Sequence, residues 1–415
     1  MSGYRFQRKL IKVEDAQQAV LHHVRLQERE EVLLEESFGR RLAESVCASH
    51  PVPHFRRSGV DGYAVRAEDS YQASPENAVT LEVTETIPCG VIPVSGVERG
   101  QAARIMTGAV VPSGADAVIM LEMTEASARE VCIRKRMDKG ENITPIGHEV
   151  QEDELLLQLG QTIGPGEAAL LAAFGYERVW VFRKPRVAIF STGSELLEVG
   201  RPLEHGKIRN SNSYMLACQV QEAGGVPLIM PILPDDPECV EAALLKIMEQ
   251  VDFIITTGGV SVGDKDVLVD LFERWDGRLL FNKVAMRPGS PTSVGLWRDR
   301  LLFALSGNPG ASYVGFELFV RPYMRGLLGY SAMIHNEITG SLQTDYSKGS
   351  AYPRYVRGTV SVNNSSVFVK PAGKDKSSNM VSIKDADCLI CIPAGGRGAA
   401  KGETVRVILL KEPDL

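Results

Sequence analysis

The chain has 415 residues, of which 44% are hydrophobic and 24% are charged, and its formal net charge is -6. This length exceeds what one hydrophobic core usually organises, so we expect several domains. The negative charge argues against sequence-independent binding of nucleic acid. No stretch approaches the roughly 18 apolar residues of a membrane span, and no apolar run follows the basic N-terminus as in a secretory signal. Seven scattered cysteines suggest reduced thiols, which predicts a cytoplasmic protein.

The first half of the chain changes its pattern twice. Residues 13 to 30 predict an amphipathic helix. From 53 to 141, short β-rich runs between Gly, Pro, Ser and Asp predict an inserted, mostly β domain. Residues 142 to 184 return to a helical pattern, in which Pro165 marks a first turn and Gly175 a helix end. We expect residues 142 to 184 to complete a helical linking domain with residues 1 to 52.

The second half predicts two further domains. Residues 185 to 330 alternate strand and helix, which is typical of a doubly wound parallel α/β sheet buried between helices. Residues 331 to 415 contain only strands, which predicts a small C-terminal β-barrel or sandwich, and we assign the barrel. The expected fold class is therefore multidomain α/β and β.

Three strands of the predicted α/β domain each end in a polar turn that contains glycine. In a doubly wound sheet these turns lie at the carboxyl ends of the strands, where ligands bind. Glycines allow close approach of the main chain, and amides at helix N-termini favour phosphate. The residues predicted to bind substrate in these turns are Gly193, Gly258, Gly259, Ser261, Gly263, Ser306, Gly307, Asn308 and Pro309.

Residues 206 to 213, with the sequence GKIRNSNS, add cations and short polar side chains before a helix. Lys207, Asn210 and Ser211 would suit phosphate or a polar heterocycle. The alternative is a solvated loop in which Asn or Ser caps the helix.

Carboxylates follow two of these turns and one further strand. Glu195 and Asp266 could hold Mg²⁺ against ligand phosphates, since this cation commonly takes one or two carboxylates, although both could instead cap helices. Asp236 precedes Pro237 and is predicted to be an N-cap, which leaves Asp235 as a candidate site residue.

Other motifs are excluded or have structural explanations. The chain contains no G-x-x-x-x-G-K-[ST] sequence, which excludes a P-loop nucleotidase at the level of motifs. Cys388 and Cys391 form a C-x-x-C in an apolar strand without a second pair, so we interpret them as buried strand cysteines rather than zinc ligands.

The ordered motifs STGSEL, GKIRNSNS, TTGGVSVGDKD, KVAMRPG and SGNPGAS closely resemble the molybdopterin molybdenumtransferase family. This family includes the bacterial MoeA proteins and the C-terminal domain of gephyrin. The resemblance extends to residues 57 to 65, to residues 105 to 112 and to the C-terminal β region, so it covers nearly the whole chain.

The resemblance implies an elongated homodimer in which residues 1 to 52 and 142 to 184 also serve dimerisation. Its active site would lie between the α/β domain of one subunit and the inserted domain of the other. There, adenylylated molybdopterin would react with molybdate and a divalent cation, molybdenum would pass to the dithiolene, and AMP would leave. Further candidate partners are the molybdopterin adenylyltransferase and apo-molybdoenzymes.

The resemblance also assigns catalytic residues by position. Glu195, Asp235 and Asp266 become site carboxylates, and Lys283 and Arg287 become basic contacts to anions. The inserted domain contributes Asp61 and Thr107, and the C-terminal domain contributes Arg357 and Ser378 as substrate contacts.

The chain departs from the family pattern at four positions. Ser194 stands where Asp is frequent, Arg287 where Lys is frequent, Ser290 where Lys is frequent, and Thr144 where Arg is frequent. Arg287 keeps the charge but replaces a point donor with a planar fork. The two missing cations are expected to weaken the binding of oxyanions.

Two other functions remain as alternatives. The same α/β domain serves in molybdopterin adenylyltransferases, with a related one in nucleotide-amide hydrolases, and the gephyrin module also acts as a noncatalytic scaffold that binds receptor segments. Turnover of adenylylated molybdopterin would separate these alternatives from the transferase.

Overall fold

The structure is a computed structural model that describes residues 9–127, 129–259 and 267–411. The chain divides into two compact units. The larger unit takes the residues up to Ala43, Gly160–Ile163 and those from Arg178 onward, and the smaller takes Glu44–Leu159 and Gly164–Glu177. The four domain boundaries expected from the sequence remain a prediction. Among the described helices, none is both long and apolar enough to cross a membrane.

The helices of the described residues are short. The α-helices are Val13–Leu21, Pro165–Ala173, Asn212–Glu222, Pro237–Met248, Val267–Arg274, Pro309–Gly315, Arg321–Leu327 and Val381–Lys384, a π-helical turn spans Phe316–Val320, and 3-10 turns span Leu34–Glu36, Ala67–Ser70 and Leu121–Met123.

The first helix is shorter than the sequence predicts. It ends at Leu21 instead of residue 30, and Arg29–Leu33 forms a strand antiparallel to Arg178–Phe182. The apolar periodicity of residues 13 to 21 packs Val13, Ala16 and Val20 into the core. Residues 29 to 33 instead satisfy their main-chain groups through a partner strand distant in sequence, which overrides the local helical pattern.

The smaller unit contains the inserted β domain. Its six-stranded sheet has the order Ala117–Met120, Gly62–Val65, Gln101–Ile105, Val79–Ile87, Glu130–Ile133 and Thr124–Ala126. Two short pairs join Arg57–Ser58 to Ile143–Thr144 and Val46–Cys47 to Leu155–Leu157. Helix Pro165–Ala173 begins at the expected proline, and Gly175 follows its end with a φ of +81°. Of the region predicted to be helical, residues 142 to 184, only Pro165–Ala173 forms an α-helix. Residues 142 to 164 are turns and short strands, and Arg178–Phe182 is a strand.

The larger unit is built on a six-stranded α/β sheet. The strand order is Val226–Ile229, Arg186–Ser191, Phe253–Thr257, Arg300–Leu305, Ser293–Trp297 and Arg278–Phe281. The first four strands are parallel, as predicted. Ser293–Trp297 runs antiparallel to both of its neighbours, so the edge strand Arg278–Phe281 points the same way as the first four. Hydrophobic strands of either direction read alike when both faces are buried, so the sequence pattern does not distinguish them.

Alternate side chains of each strand enter two different cores, which is the doubly wound arrangement. Val187 and Ile189 pack on the face covered by helices Val13–Leu21, Asn212–Glu222 and Pro309–Gly315. Ala188 and Phe190 pack on the face covered by Pro237–Met248 and Val267–Arg274. Helices therefore cover both faces, and binding residues are left to the strand ends.

The C-terminal strands close into a barrel, as predicted. Its strands are Glu337–Leu342, Arg354–Asn363, Ser366–Pro371, Cys388–Ile392 and Thr404–Leu409. Cys388 and Cys391 lie buried in one strand as free thiols, and burial raises the pKa of each to about 12. This confirms that the pair is structural. Two short parallel pairs complete the larger unit, Leu10–Ile11 with Lys283–Val284 and Leu196–Leu197 with Ile208–Arg209.

Candidate active site at the switch in strand order

The strand order reverses beside the strand Arg186–Ser191. The chain first places Val226–Ile229 on one side of it and then crosses to place Phe253–Thr257 on the other. Helices leaving two such neighbouring strands diverge, which opens a crevice at their carboxyl ends. This edge of the sheet is therefore where the fold favours a ligand.

The three glycine-bearing turns meet at this edge. The amide of Thr192 donates to the carbonyl of Thr257 over 3.1 Å, and the amide of Gly258 donates to the carbonyl of Leu305 over 3.2 Å. Main-chain bonds thus join the first turn to the second and the second to the third. The structure brings together the turns that the sequence predicts to converge.

The first turn depends on Gly193. Its φ is +146°, and a Cβ built there would lie 2.5 Å from Oε2 of Glu195. The exposed carboxylate of Glu195 therefore folds back over a residue that must lack a side chain. Asp235 Oδ2 accepts a hydrogen bond from the amide of Ser194 over 3.0 Å, and Lys207 Nζ donates to the carbonyl of Ser194. Glu195, Asp235 and Lys207 thus gather at one turn.

The two adjacent aspartates have separate roles. Oδ1 of Asp236 accepts from the amides of Glu238 and Cys239, at 2.9 and 3.2 Å, and so caps helix Pro237–Met248. This confirms the predicted N-cap. Asp235 turns instead towards the first turn, so one carboxylate stabilises a helix and the other is available at the crevice.

The second and third turns are held against each other. Gly258 and Gly259 have φ values of +99° and +65°, and a Cβ on Gly258 would lie 2.5 Å from the carbonyl oxygen of Thr192. Ser306 is nearly buried, Gly307 and Asn308 are exposed, and Pro309 begins the following helix. Ser261, Gly263 and Asp266 lie outside the described residues.

Asn210 is buried and locally bonded. Its Oδ1 accepts from Ser191 Oγ over 2.9 Å and from the amide of Ser213, and its Nδ2 donates to Ser213 Oγ over 3.0 Å. These bonds attach the GKIRNSNS segment to the end of the strand Arg186–Ser191. Asn210 therefore holds this segment in place, while the half-buried Ser211 is the N-cap residue of the next helix.

Lys283 and Arg287 lie on one short segment beside the third turn. In the described part of the chain, neither side chain forms an ion pair. Ser290 Oγ donates to the carbonyl of Val284 over 2.7 Å and closes the loop. A Cβ on Gly289 would lie 3.3 Å from the carbonyl oxygen of Ala311, so the segment packs close to the helix that follows the third turn. Two uncompensated cations are thus available to an anion.

The side chain of Arg357 is buried and fully engaged. Its Nε donates to Ser382 Oγ, its Nη1 to the carbonyl of Gly310, and its Nη2 to the carbonyl of Lys376, at 3.0, 3.2 and 3.1 Å. Burial lowers the pKa of Arg357. The amide of Gly310 also donates to the carbonyl of Ser377. Arg357 therefore fastens the loop that carries the exposed Ser378 to the third turn, and the substrate contact expected from the resemblance remains a prediction.

In the smaller unit, Asp61 and Thr107 form a pair. Oδ1 of the exposed Asp61 accepts from the amide of Thr107 over 2.7 Å and from its hydroxyl over 2.9 Å. These two hydrogen bonds lower the pKa of Asp61. The carboxylate is therefore held ionised beside an exposed hydroxyl.

The carboxylate oxygens at the first turn are suitable ligands for a hard divalent cation. Glu195 and Asp235 are both oriented by that turn and supply carboxylate oxygens, which Mg²⁺ prefers. Among the described residues, no group of three or more acidic, histidine or cysteine side chains is arranged so that it could hold a metal ion. A cation held by one or two carboxylates and by ligand phosphates requires no larger cluster.

Sequence reasoning missed two residues at the centre of this arrangement, Asn212 and Thr257. Asn212 Nδ2 donates to Thr257 Oγ1 and to the carbonyl of Gly307, both at 2.8 Å. Both residues stand inside motifs singled out in the sequence. Only its burial between two turns, which the structure shows, distinguishes Asn212 from a solvent-exposed polar residue at the start of a helix.

Family models match three consecutive parts of the chain. They are the MoeA N-terminal region (domain I and II) over residues 11–175, a probable molybdopterin binding domain over 188–326, and the MoeA C-terminal region (domain IV) over 339–410. A molybdopterin molybdenumtransferase of Bacillus subtilis strain 168 is 46% identical over 97% of this chain and 94% of its own length. The chain belongs to the molybdopterin molybdenumtransferase family.

Other family members agree in sequence and in fold. A molybdopterin molybdenumtransferase of Staphylococcus aureus strain Mu50 is 40% identical over 97% of this chain and 96% of its own length. The crystal structure of a molybdopterin biosynthesis MoeA protein from Pyrococcus horikosii matches with a TM-score of 0.86 at 32% identity, covering 97% of this chain and all of that one. The family therefore accounts for both units of the chain.

Proposed function

We propose that this protein is a molybdopterin molybdenumtransferase that inserts molybdate into adenylylated molybdopterin and releases AMP. The observation that carries the proposal is the meeting of three glycine-bearing turns at the switch in strand order, joined by the bonds of Thr192 and Gly258. Such an edge suits a large ligand with phosphates, because main chain and helix N-termini approach it from several strands.

The reaction brings together two kinds of oxyanion, molybdate and the pyrophosphate of the adenylylated substrate. Lys283 and Arg287 supply positive charge beside the third turn without internal partners in the described part of the chain, and Lys207 adds a cation at the first. Charge-assisted hydrogen bonds from such groups are stronger than neutral ones. We propose that these cations position the oxyanions, so that electrostatic preorganisation supplies much of the rate.

A divalent cation completes the charge balance of the proposed site. Glu195 and Asp266 would hold Mg²⁺, and Asp235 lies with Glu195 at the first turn. When bound, the cation would polarise the pyrophosphate and favour departure of AMP. The side chains of the protein would bind and orient the two substrates, and none of them needs to act as a nucleophile.

We propose that the enzyme works as a cytoplasmic homodimer with shared sites. Asp61 and Thr107 of one subunit would then serve the α/β domain of the partner, a role that rests on the family resemblance. The free thiols of all seven cysteines fit a reducing compartment. The adenylyltransferase would supply the substrate, and apo-molybdoenzymes would accept the product.

The deciding experiment incubates the purified protein with adenylylated molybdopterin, Mg²⁺ and molybdate, and follows both AMP release and reconstitution of an apo-molybdoenzyme. We expect AMP release that depends on molybdate and is largely lost in folded Asp266→Asn, because a neutral amide is a poor ligand for a hard cation. Formation of adenylylated molybdopterin from ATP would favour the adenylyltransferase. The absence of any turnover by the folded dimer would favour the scaffold.

A further inference from the structure

Asn212 occupies an unusual position for the first residue of a helix. The residue is 9% exposed and its side chain bonds to both the second and the third turn, whereas Tyr214, two residues further on, is about half exposed. The N-cap position of this helix belongs to Ser211, so the side chain of Asn212 stands just inside the helix. Asn212 donates both hydrogens of its amide to other elements of the sheet edge.

The orientation of this amide is unambiguous. The carbonyl of Gly307 can only accept, so the group 2.8 Å from it must be Nδ2. Thr257 Oγ1 donates its own hydrogen to the carbonyl of Ser306 over 3.0 Å and so accepts from the same nitrogen. Asn212, Thr257 and the third turn therefore form one chain of hydrogen bonds in which each donor and acceptor is determined.

These bonds add a further connection between the second and third turns, beside the main-chain bond from Gly258 to Leu305 and the bond from Thr257 Oγ1 to the carbonyl of Ser306. A Cβ on Gly307 would lie 3.4 Å from Cα of Gly258, so the two backbones are nearly in contact at this point. Only small residues fit at this closest approach, and the connection that reaches both Thr257 and Gly307 comes from a neighbouring element. Asn212 comes from helix Asn212–Glu222 and reaches both.

We propose that Asn212 is a positioning residue for the transferase reaction, acting through Thr257 and Gly307 to set the spacing of the second and third turns. This inference rests on the proposed function, which places the phosphate-bearing substrate at these turns. Asn212 needs no contact with substrate in this role. Its loss would let the third turn move away from the second, and the affinity for adenylylated molybdopterin would fall more than the rate of the bound complex.

The same helix offers a matched control. Gln219 is also a buried amide, its Nε2 donates to the carbonyl of Tyr313 and to Glu317 Oε1, and in both residues the amide oxygen has no partner in the described part of the chain. Gln219 lies two turns along helix Asn212–Glu222, away from the glycine-bearing turns. Replacing either amide by Leu therefore removes two buried hydrogen bonds donated from the same helix. Only the replacement of Asn212 removes bonds at the crevice.

The experiment compares Asn212→Leu, Asn212→Asp and Gln219→Leu in the full-length protein. We expect both Asn212 variants to raise the KM for adenylylated molybdopterin at least tenfold with a smaller change in kcat, and Gln219→Leu to leave both constants near the wild-type values. Thr257→Val should raise KM as well, whereas Thr257→Ser, which keeps the hydroxyl, should not. The increase in KM in the double variant Asn212→Leu with Thr257→Val should be less than additive, because both substitutions break the same chain of hydrogen bonds. A wild-type KM in folded Asn212→Leu, or an equal rise in Gln219→Leu, would overturn the proposal.

Hydrogen exchange separates this proposal from the proposed function. In Asn212→Leu we expect faster exchange of the amides of residues 304 to 308 than in the wild type and in Gln219→Leu. If the wild type fails to turn over adenylylated molybdopterin, the proposed function fails while this measurement still tests the positioning role. Unchanged exchange in that segment would overturn the role of Asn212 whatever the activity.

Discussion

The amide of Ser194 donates a hydrogen bond to Oδ2 of Asp235 across 3.0 Å, which joins the first turn to the segment after the strand Val226–Ile229. The carboxylate therefore both holds a turn and places a negative charge at the crevice. Its neighbour Asp236 caps a helix. The same substitution by Asn at both aspartates therefore tests the charge of Asp235 separately from its hydrogen bond.

We expect Asp235→Asn to fold normally and to lose at least tenfold in molybdate-dependent AMP release. The amide oxygen can still accept from Ser194, but the negative charge that assists cation binding is gone. Asp236→Asn is the matched control, since Asn caps helices about as well as Asp, and it should change neither activity nor Tm. Normal AMP release by Asp235→Asn would reduce this aspartate to a purely structural role.

Gly193→Ala should raise the Mg²⁺ concentration required for half-maximal activity. The new methyl group would meet the carboxylate of Glu195, which lies 2.5 Å from the Cβ position, and would displace it from the turn. Gly200→Ala provides the control, because Gly200 also has a positive φ, +96°, but no atom lies within 4 Å of its Cβ position. Both variants should lose similar stability from the strained backbone, on the order of 1 kcal/mol. An unchanged Mg²⁺ dependence of Gly193→Ala would argue that Glu195 does not serve the cation.

Arg287→Ala should raise the molybdate or substrate concentration for half-maximal activity at least about tenfold. A charge-assisted hydrogen bond is typically worth about 1.5 to 3 kcal/mol, and a factor of ten corresponds to about 1.4 kcal/mol. Arg397→Ala removes another exposed arginine and should leave activity unchanged. Titration with molybdate at fixed substrate, together with a melting curve, checks the result. A loss of Tm with unchanged apparent affinities would instead indicate that Arg287 stabilises the fold.

The family departure at residue 290 gives a change in the opposite direction. Ser290→Lys restores a cation on the segment that carries Lys283 and Arg287, so it should lower the half-maximal molybdate concentration. The substitution also removes the hydrogen bond from Ser290 Oγ to Val284, and a small decrease in Tm should accompany it. The same molybdate titration measures this effect, and a higher half-maximal concentration would contradict it.

Mixed dimers test whether subunits share sites. Asp61→Ala removes the carboxylate paired with Thr107, and Asp266→Asn removes a proposed cation ligand, so each variant alone should be inactive. A heterodimer of the two would keep one intact site, and subunit exchange should restore up to half of the wild-type activity per heterodimer. Mixing two preparations of the same variant is the control. No activity in heterodimers confirmed by tagged purification would contradict shared sites.

Glu317→Gln should strongly destabilise the larger unit. Glu317 lies in the π-helical turn Phe316–Val320 and is 1% exposed. Its carboxylate accepts hydrogen bonds from the side chains of Arg321, His335 and Gln219. Removing one partner of a buried ion pair typically costs about 3 to 5 kcal/mol, because the other charge stays buried. Glu337→Gln breaks the exposed pair with Arg406 and should cost no more than about 1 kcal/mol. Urea unfolding at pH 7 measures both losses.

The same carboxylate predicts a pH dependence. Burial raises the pKa of Glu317, but hydrogen bonds from His335 and Arg321 outweigh it and lower the pKa to about 2 from an ordinary value of 4.5. Its contribution to stability is therefore fully present above pH 4.5 and is lost as pH falls from there towards 2. The difference in urea midpoint between wild type and Glu317→Gln should be constant from pH 7 to 5 and should shrink by pH 3. An equal difference at pH 7 and pH 3 would contradict this assignment.

Local sequence patterns determined much of the architecture. Asp236 before Pro237 is enough to predict a helix cap, and Pro165 with Gly175 is enough to bracket a helix, because these effects act within one or two turns. The convergence of the three glycine-bearing turns can also be predicted, since parallel strands place their carboxyl ends at one edge of the sheet. The apolar surroundings of Cys388 and Cys391 likewise predict buried thiols.

Tertiary structure alone decided which groups meet at that edge. Asn212 forms a hydrogen bond with Gly307, 95 residues away, and Arg357 forms one with Gly310, 47 residues away. No local periodicity of the sequence predicts such pairings. The family resemblance assigns Arg357 to the substrate site, and only the folded structure shows it enclosed among three protein acceptors. The strand Arg29–Leu33 likewise departs from its helical pattern because its partner lies at Arg178–Phe182. Hydrogen bonds between distant segments depend on the spacing and direction of whole elements, which packing of the two cores determines after the local pattern has been set.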